Sequence, residues 1–194
     1  MDVLAEFCVG YPWLPFSPLI HGSLLRGGGG ALRSLSSLKP QPNDALIPVH
    51  EAAKTSLDPD WKATHLFFTN LPDSKALTEI EIWIDMEKKA CVAKFGVGLV
   101  TVGNKGIVHG GLLCTMLDEM MGATLDYLGL APAGTAYLHT TFRRVVTPGA
   151  TLYGHASVSS VEGRKRFMKS QLMESISPPL ITAEATSLFV AFKK

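Results

Sequence analysis

The segment from Gly110 to Leu128 constrains the whole chain. Its apolar positions Leu113, Met116, Leu117, Met120, Met121, Thr124 and Leu128 are spaced three and four apart, as on one face of an α-helix. Apolar residues also fill much of the remaining circumference, so this helix has to be wrapped. A curved antiparallel sheet is a wrapping surface that a short chain can supply. The flanking sequence has the matching pattern. Ile80, Ile82 and Ile84 alternate with Glu79, Glu81, Trp83 and Asp85; Glu87-Lys88-Lys89 is a polar turn; Cys91, Ala93, Phe95 and Val97 alternate again. This predicts a hairpin. A glycine-containing loop, residues 98–108, leads into the helix, and Gly129, Pro132 and Gly134 end it. Four strand-like runs follow, at 135–146, 151–161, 164–176 and 180–192, separated by Pro148-Gly149, Glu162-Gly163 and Pro178-Pro179. Short turns predict antiparallel neighbours. The expected fold class is α+β, a curved antiparallel sheet around one long central helix.

The N-terminal part reads differently. Residues 1–50 hold Pro12, Pro15, Pro18, Pro40, Pro42, Pro48 and the run Gly27–Gly30, a density of breakers that does not build long elements. Trp13 and Phe16 are the apolar anchors such an arm would use. Residues 51–76 are mixed, with room for a short helix or two before Pro72. The expected division is therefore an arm or linker, 1–77, and a compact domain, 78–194.

Charge narrows the function. The chain has 18 Lys+Arg against 17 Asp+Glu, a formal net charge of +1, which excludes broad electrostatic capture of nucleic acid. No window of about 18 apolar residues occurs, because Asp118 and Glu119 interrupt the most apolar stretch, so no membrane-spanning helix is expected. Cys8, Cys91 and Cys114 are too few and too scattered for a disulfide framework or a metal cluster, which fits a reducing compartment. The cytoplasm is the expected location. Mitochondrial import is the alternative, since residues 7–43 carry no acid; Asp2, Glu6 and the early prolines oppose it. His21, His50, His65, His139 and His155 show no metal spacing, and no metal or cofactor is expected.

The chemistry concentrates at His109-Gly110-Gly111 and Asp118. A His-Gly-Gly turn opens the helix, where the first-turn N–H groups are free and the dipole is positive. Such an end can stabilise a developing oxyanion or polarise a carbonyl. Asp118 lies seven residues after Gly111 on the same helical face. An acid in an apolar helix costs several kcal/mol to bury, on the order of ~2–7 kcal/mol, unless it is paired or functional. A carbonyl clamp with a carboxylate suits acyl transfer to water, the acid acting as general base or as nucleophile.

At these residues the chain resembles the hotdog-fold acyl-CoA thioesterases of the phenylacetate-pathway and thioesterase-superfamily-member type. The resemblance is carried by Gly106, His109-Gly110-Gly111, Leu117-Asp118-Glu119, the strand Thr135–Arg144 ending in Pro148-Gly149, and Gly163-Arg164-Lys165, and it covers roughly residues 78–192. It implies that Asp118 is the catalytic carboxylate, that Gly110 N–H polarises the thioester carbonyl, that His109 shapes the turn, and that Thr135 orients the water. It also implies that Gly111 and Asn104 contact the substrate and that Gly163, Arg164 and Lys165 meet the CoA phosphates. Because the carboxylate in such enzymes faces the glycine turn of another subunit, a homodimer or dimer of dimers is implied. The chain departs from the family in one respect: Gly103 stands six residues before His109, where many relatives have Asn or Gln, and Asn104 comes one later.

Simpler roles are open for several of these residues. His109 could merely cap the helix. Arg164, Lys165, Arg166 and Lys169 could form a solvated edge that discourages aggregation. Glu119 and Asp126 read as solvent-facing helix acids, Met116, Met120, Met121 and Met168 as core, and Cys114 as an inert core thiol. One of Arg143 and Arg144 must point inward or to an interface if its strand is regular. The leading functional expectation is hydrolysis of an acyl-CoA thioester. The alternatives are release of an acyl chain from a carrier protein, dehydration of a 3-hydroxyacyl thioester, and non-catalytic acyl binding.

Overall fold

A computed structural model describes residues 46–49 and 64–193. Trp13, Phe16, Cys8 and the basic stretch within 7–43 lie outside the described residues.

The expected elements form. β2 (Leu77–Asp85) and β3 (Ala90–Val97) make the first hairpin, with Ile82 opposite Ala93. The central helix α1 spans Gly110–Tyr127. After it come β6 (Ala133–Phe142), β7 (Thr151–Glu162), β8 (Lys165–Ile176) and β9 (Pro179–Ala191). Three further strands are short. β1 (Leu46–Pro48) pairs with β2 at one sheet edge. β4 (Val102–Asn104) and β5 (Ile107–Val108) fold the glycine-containing loop into a small hairpin of its own.

The main sheet has seven strands in the order β1-β2-β3-β7-β8-β9-β6, every pair antiparallel. It curves round α1 in the manner of the hotdog fold. One row of opposed residues (Ile82, Ala93, Gly154, Leu172, Ala183 and Phe142) runs across six strands on the face that meets α1. Met116, Leu117, Met120 and Met121 of α1 are fully buried against that face. Each small residue in the row lets the helix approach, most closely at Gly154, where an added Cβ would fall 2.2 Å from Met120 Sδ.

One expected neighbour pair does not form. β6 and β7 are joined by the short segment 143–150, yet β6 pairs with β9 at the far edge while β7 lies between β3 and β8. The connection crosses the end of the helix instead of making a hairpin. Its backbone is held by Arg143 N–H and Arg144 N–H to Thr182 O and by Val108 N–H to Val146 O. Of the adjacent arginines, Arg143 pairs with Glu184 of β9.

Two pieces before β2 join the core. A π-helical turn, Leu66–Asn70, continues into a helical turn, Leu71–Asp73. Phe67 is 1% exposed and meets Phe95 edge to face with ring centroids 5.8 Å apart. His65 caps this turn, its Nδ1 accepting Phe68 N–H at 3.2 Å. The turn brings Leu66 and Leu71 beside the start of α1.

Candidate active site

His109 is extended (φ −61°, ψ 127°) and caps α1, its Nδ1 accepting Gly111 N–H at 2.9 Å. This uses one first-turn donor and sets the tautomer: a neutral ring whose Nδ1 accepts carries its proton on Nε2. Leu112 N–H donates to His109 O. Gly110 N–H has no intrachain acceptor among the described residues, so at the positive end of an 18-residue helix it is a donor available to a carbonyl.

Close packing accounts for the glycines. An added Cβ on Gly110 would come 3.1 Å from Phe142 Cζ, and one on Gly111 would come 2.9 Å from His109 Nδ1. Gly103 lies on the other side of the imidazole, where a Cβ would sit 2.9 Å from His109 Cα and 3.0 Å from Cδ2. A larger residue at 103 would have to shift His109. Asn104 is exposed on the β4–β5 hairpin and makes no side-chain hydrogen bond among the described residues. It is not one of the groups gathered round His109.

α1 runs antiparallel along β6. Gly110 meets Phe142, Cys114 Sγ donates to Thr140 Oγ1 at 3.5 Å, and Thr135 Oγ1 donates to Asp118 at 3.0 Å from Oδ1 and 3.3 Å from Oδ2. Two residues far apart in sequence are thus brought together. Partial burial raises the Asp118 carboxyl above the usual carboxylate range, and the Thr135 hydrogen bond acts the other way.

Glu119 differs from its expected place. It is half-buried, and its carboxyl is pushed up to about 7, first by burial and then by the like charges of Asp118 and Asp126. Two adjacent acids on one helix therefore have unequal environments. Sequence reading missed this because the covering residues come from elsewhere in the fold. Asp126 is exposed, as expected.

Gly163-Arg164-Lys165 forms the exposed β7–β8 turn, with Gly163 at φ +57°. Arg164 Nη1 donates to Ala191 O at 3.1 Å. Arg166 and Thr135 both oppose Phe189, from β8 and β6 respectively. The basic turn therefore lies at the same end of the sheet as Thr135 and Asp118. His139 leans on Tyr137, ring centroids 5.4 Å apart, and alternates with Thr140, the residue that meets α1. It thus points to the opposite face of the sheet. Cys91 is buried, its thiol pushed up to about 12, which suits an inert core residue.

An apolar crevice of about 320 Å³ opens beside His109, lined by Leu66, Leu71, Val100, Val102, Leu112 and Thr115 among others. It was not foreseen, since its walls come from three separate stretches of chain. The only sequence hint was the apolar run Leu66-Phe67-Phe68. Among the described residues no helix is long and apolar enough to cross a membrane, and no group of three or more His, Cys, Asp or Glu could hold a metal ion.

Residues 105–172, which span the His-Gly-Gly turn, α1 and β6 to β8, match the family model for the thioesterase superfamily. The chain is 30% identical over 125 residues to the acyl-coenzyme A thioesterase THEM4 of Xenopus laevis, covering 64% of this chain and 55% of that one. It thus spans about half the length of that relative. It is 31% identical over 141 residues to an uncharacterized protein of Schizosaccharomyces pombe, covering 64% of this chain and 73% of the yeast protein. Its fold is similar to that of a hypothetical thioesterase protein of Streptococcus pneumoniae solved with coenzyme A, with a TM-score of 0.54 at 18% identity over 61% of this chain and 90% of that one. The His-Gly-Gly turn, the central helix and β6 to β8 are therefore the part of the chain that matches the thioesterase superfamily.

Proposed function

We propose that the chain hydrolyses acyl thioesters, with acyl-CoA as the substrate class. The observation that carries this reading is the pairing of an unoccupied backbone donor, Gly110 N–H, with a half-buried carboxylate, Asp118, on one helix. The naming of the THEM4 relatives and the coenzyme A in the Streptococcus pneumoniae structure support the substrate class.

In this reading Gly110 N–H donates to the thioester carbonyl oxygen and stabilises the charge that develops on it. Asp118, oriented by Thr135, takes a proton from water as it attacks the carbonyl carbon, or attacks that carbon itself. With Asp118 as base, the C–S bond then breaks, the thiolate takes the proton from Asp118, and the free acid leaves; with Asp118 as nucleophile, C–S cleavage releases the thiol and leaves a mixed anhydride, which water hydrolyses to the free acid and the regenerated carboxylate.

The two groups of one chain cannot serve the same carbonyl. Gly110 and Asp118 are eight residues apart on α1, about 12 Å along the axis at ~1.5 Å per residue. Reacting atoms need to approach to ~3–3.5 Å. A second copy, its helix antiparallel to the first, resolves this by setting its own Asp118 against Gly110. β6 supports such pairing: it is an edge strand of ten residues with mostly exposed side chains, and a free edge of that length is a template for strand addition. The basic turn at Arg164 and Lys165 supplies cations at the same sheet end for the CoA phosphates.

The test is free-thiol release from short, long and aromatic acyl-CoAs by wild type and Asp118→Asn. The variant is expected to lose at least about 100-fold in kcat/KM while its melting temperature and dimer mass are unchanged. Equal activity in the variant would refute the mechanism. A folded dimer without turnover on any acyl-CoA would move the substrate to a carrier protein or the role to acyl binding.

A further inference from the structure

Three loops gather at the start of α1. The turns over 66–75 meet the segment 98–108 at Gly98, whose N–H donates to Ala76 O and whose Cα lies against Lys75 O. That segment meets the connection 143–150 through Val108 N–H to Val146 O, and Leu99 reaches Gly149. These loops carry more than half of the large apolar side chains left open among the described residues. Leu99 is 76% exposed, Val100 64%, Val145 64%, Leu66 56%, Val102 51% and Ile107 37%. Single exposed apolar residues need no explanation, whereas a contiguous group of them marks a surface that something covers. Each loop also carries an exposed cation: Lys75, Lys105 and Arg144. None of the three forms an ion pair among the described residues, in contrast to Arg143, which Glu184 holds. Residues 98–109 and 143–150 contain no Asp or Glu, and the turns over 66–75 contain only Asp73.

We propose that this end of the molecule docks on the surface of an anionic phospholipid bilayer. The apolar loop tips seat at the boundary between headgroups and acyl chains, and Lys75, Lys105 and Arg144 meet the headgroup phosphates. The proposal goes beyond the thioesterase reading and does not depend on it. Charge selects this occupant: uncommitted cations with almost no acid among them complement a negative surface. The mixture of side chains suits a membrane interface, where Lys and Arg stems lie along apolar surface while their heads stay at the polar layer. A protein partner matches less well, because the cores of protein interfaces are depleted in lysine. Strand addition at these loops has little to build on, since β4 and β5 are three and two residues long. The tips can enter the interface with backbone groups paired: Val102 pairs with Val108, His109 N–H donates to Thr101 O, and Thr101 Oγ1 donates to Gly98 O at 2.7 Å. Pairing of two copies along β6 is a separate contact, because that strand ends at Phe142 and none of the six apolar residues belongs to it.

The test is flotation of the full chain with vesicles of phosphatidylcholine alone and of phosphatidylcholine with phosphatidylserine, at low and high salt. Wild type is expected to partition onto the anionic vesicles at least about tenfold more strongly than onto the neutral ones, and less so at high salt. Lys105→Gln and Arg144→Gln should each lose about fivefold in partition. The double substitution Leu99→Ser with Val145→Ser keeps the charge and should lose at least about tenfold. All four residues are exposed, so the melting temperature should not move. Val161→Ser, at an exposed apolar residue near the other end of β7, is the control and should float like wild type. Failure of wild type to float with anionic vesicles would overturn the proposal. So would an equal loss in Val161→Ser, or a Leu99 and Val145 double variant that floats like wild type. If wild type ignores vesicles and the double variant lowers the oligomer mass in solution, the face belongs to a second copy of the chain, and the proposal is again overturned.

Discussion

Replacing Thr135 by valine tests the proposed chemistry with little disturbance of the fold. Valine keeps the β-branched shape and removes only the hydroxyl that donates to Asp118 at 3.0 and 3.3 Å. A hydrogen bond to a charged group contributes about 1.5–3 kcal/mol when well buried. Thr135 is exposed and Asp118 only partly buried, so solvent screening reduces this to about 1 kcal/mol. That is about fivefold in the protonation equilibrium of the carboxyl. The sign follows from the causes. Burial already raises the Asp118 carboxyl, and the Thr135 bond, which favours the charged form, opposes that rise. Without the bond the carboxyl moves further up. A general base or nucleophile must be ionised, so the acid limb of kcat/KM against pH should move to higher pH in Thr135→Val. At a fixed pH on that limb the rate should fall about fivefold, and the loss should shrink on the alkaline plateau. Thr135→Ser should return the limb towards the wild-type position. Thiol release across the acid range reads this directly. An acid limb that stays in place, or moves to lower pH, would refute the claim that Thr135 tunes Asp118.

Two further predictions concern the scaffold. Gly154→Ala puts a methyl 2.2 Å from Met120 Sδ and 3.2 Å from Phe95 Cε2, between two fully buried side chains; overpacking of this kind costs about 1–3 kcal/mol, so the melting temperature should drop by roughly 3–10 °C, and an unchanged value in differential scanning fluorimetry would mean the contact is not tight. His155 is buried on β7, and its imidazole is pushed down to about 4, by burial first and the nearby Lys88 second, with Asp85 acting the other way. Its unfolded value is about 6.5, so stability is full above about pH 6.5 and falls by about 3 kcal/mol as pH drops to about 4, because the unfolded chain takes the proton first. Urea midpoints of wild type and His155→Gln over that range check this, and parallel curves would sink it.

The central helix was legible because its apolar residues recur every three or four positions, a pattern that no strand can bury. The strands were legible because Ile80, Ile82 and Ile84 alternate with charged residues and Trp83, and Cys91, Ala93, Phe95 and Val97 alternate in turn. The limits of β7, β8 and β9 fall within one residue of that reading, β7 spanning Thr151–Glu162 against the expected 151–161, whereas β6 ends at Phe142 and not at 146, because the chain there turns across the helix end, with Arg143 and Arg144 N–H both bonded to Thr182 O. The His109-Gly110-Gly111 turn was legible because only glycines admit Phe142 and the His109 ring so close to the backbone. Local periodicity and a local motif therefore determined the element types, the wrapped helix and the position of the His-Gly-Gly turn at its start.

Only the tertiary structure decided which elements meet. Alternation tells which face of a strand is buried but not which strand lies beside it, so the placement of β6 next to β9, despite its short link to β7, could not be read from the residues. The Thr135 hydrogen bond to Asp118 depends on that placement. Glu119 shows the same limit: residues 118 and 119 are both acids on the weakly apolar side of one helix, and which of them is the more deeply buried is set by chain packed from elsewhere. The crevice beside His109 is built from Leu66 and Leu71, from Val100 and Val102, and from Leu112 and Thr115. A concavity with walls from three separated stretches leaves no periodic signature in any one of them. The recess beside His109 is therefore a property of packing, while the His-Gly-Gly turn that borders it is already written in the order of the residues.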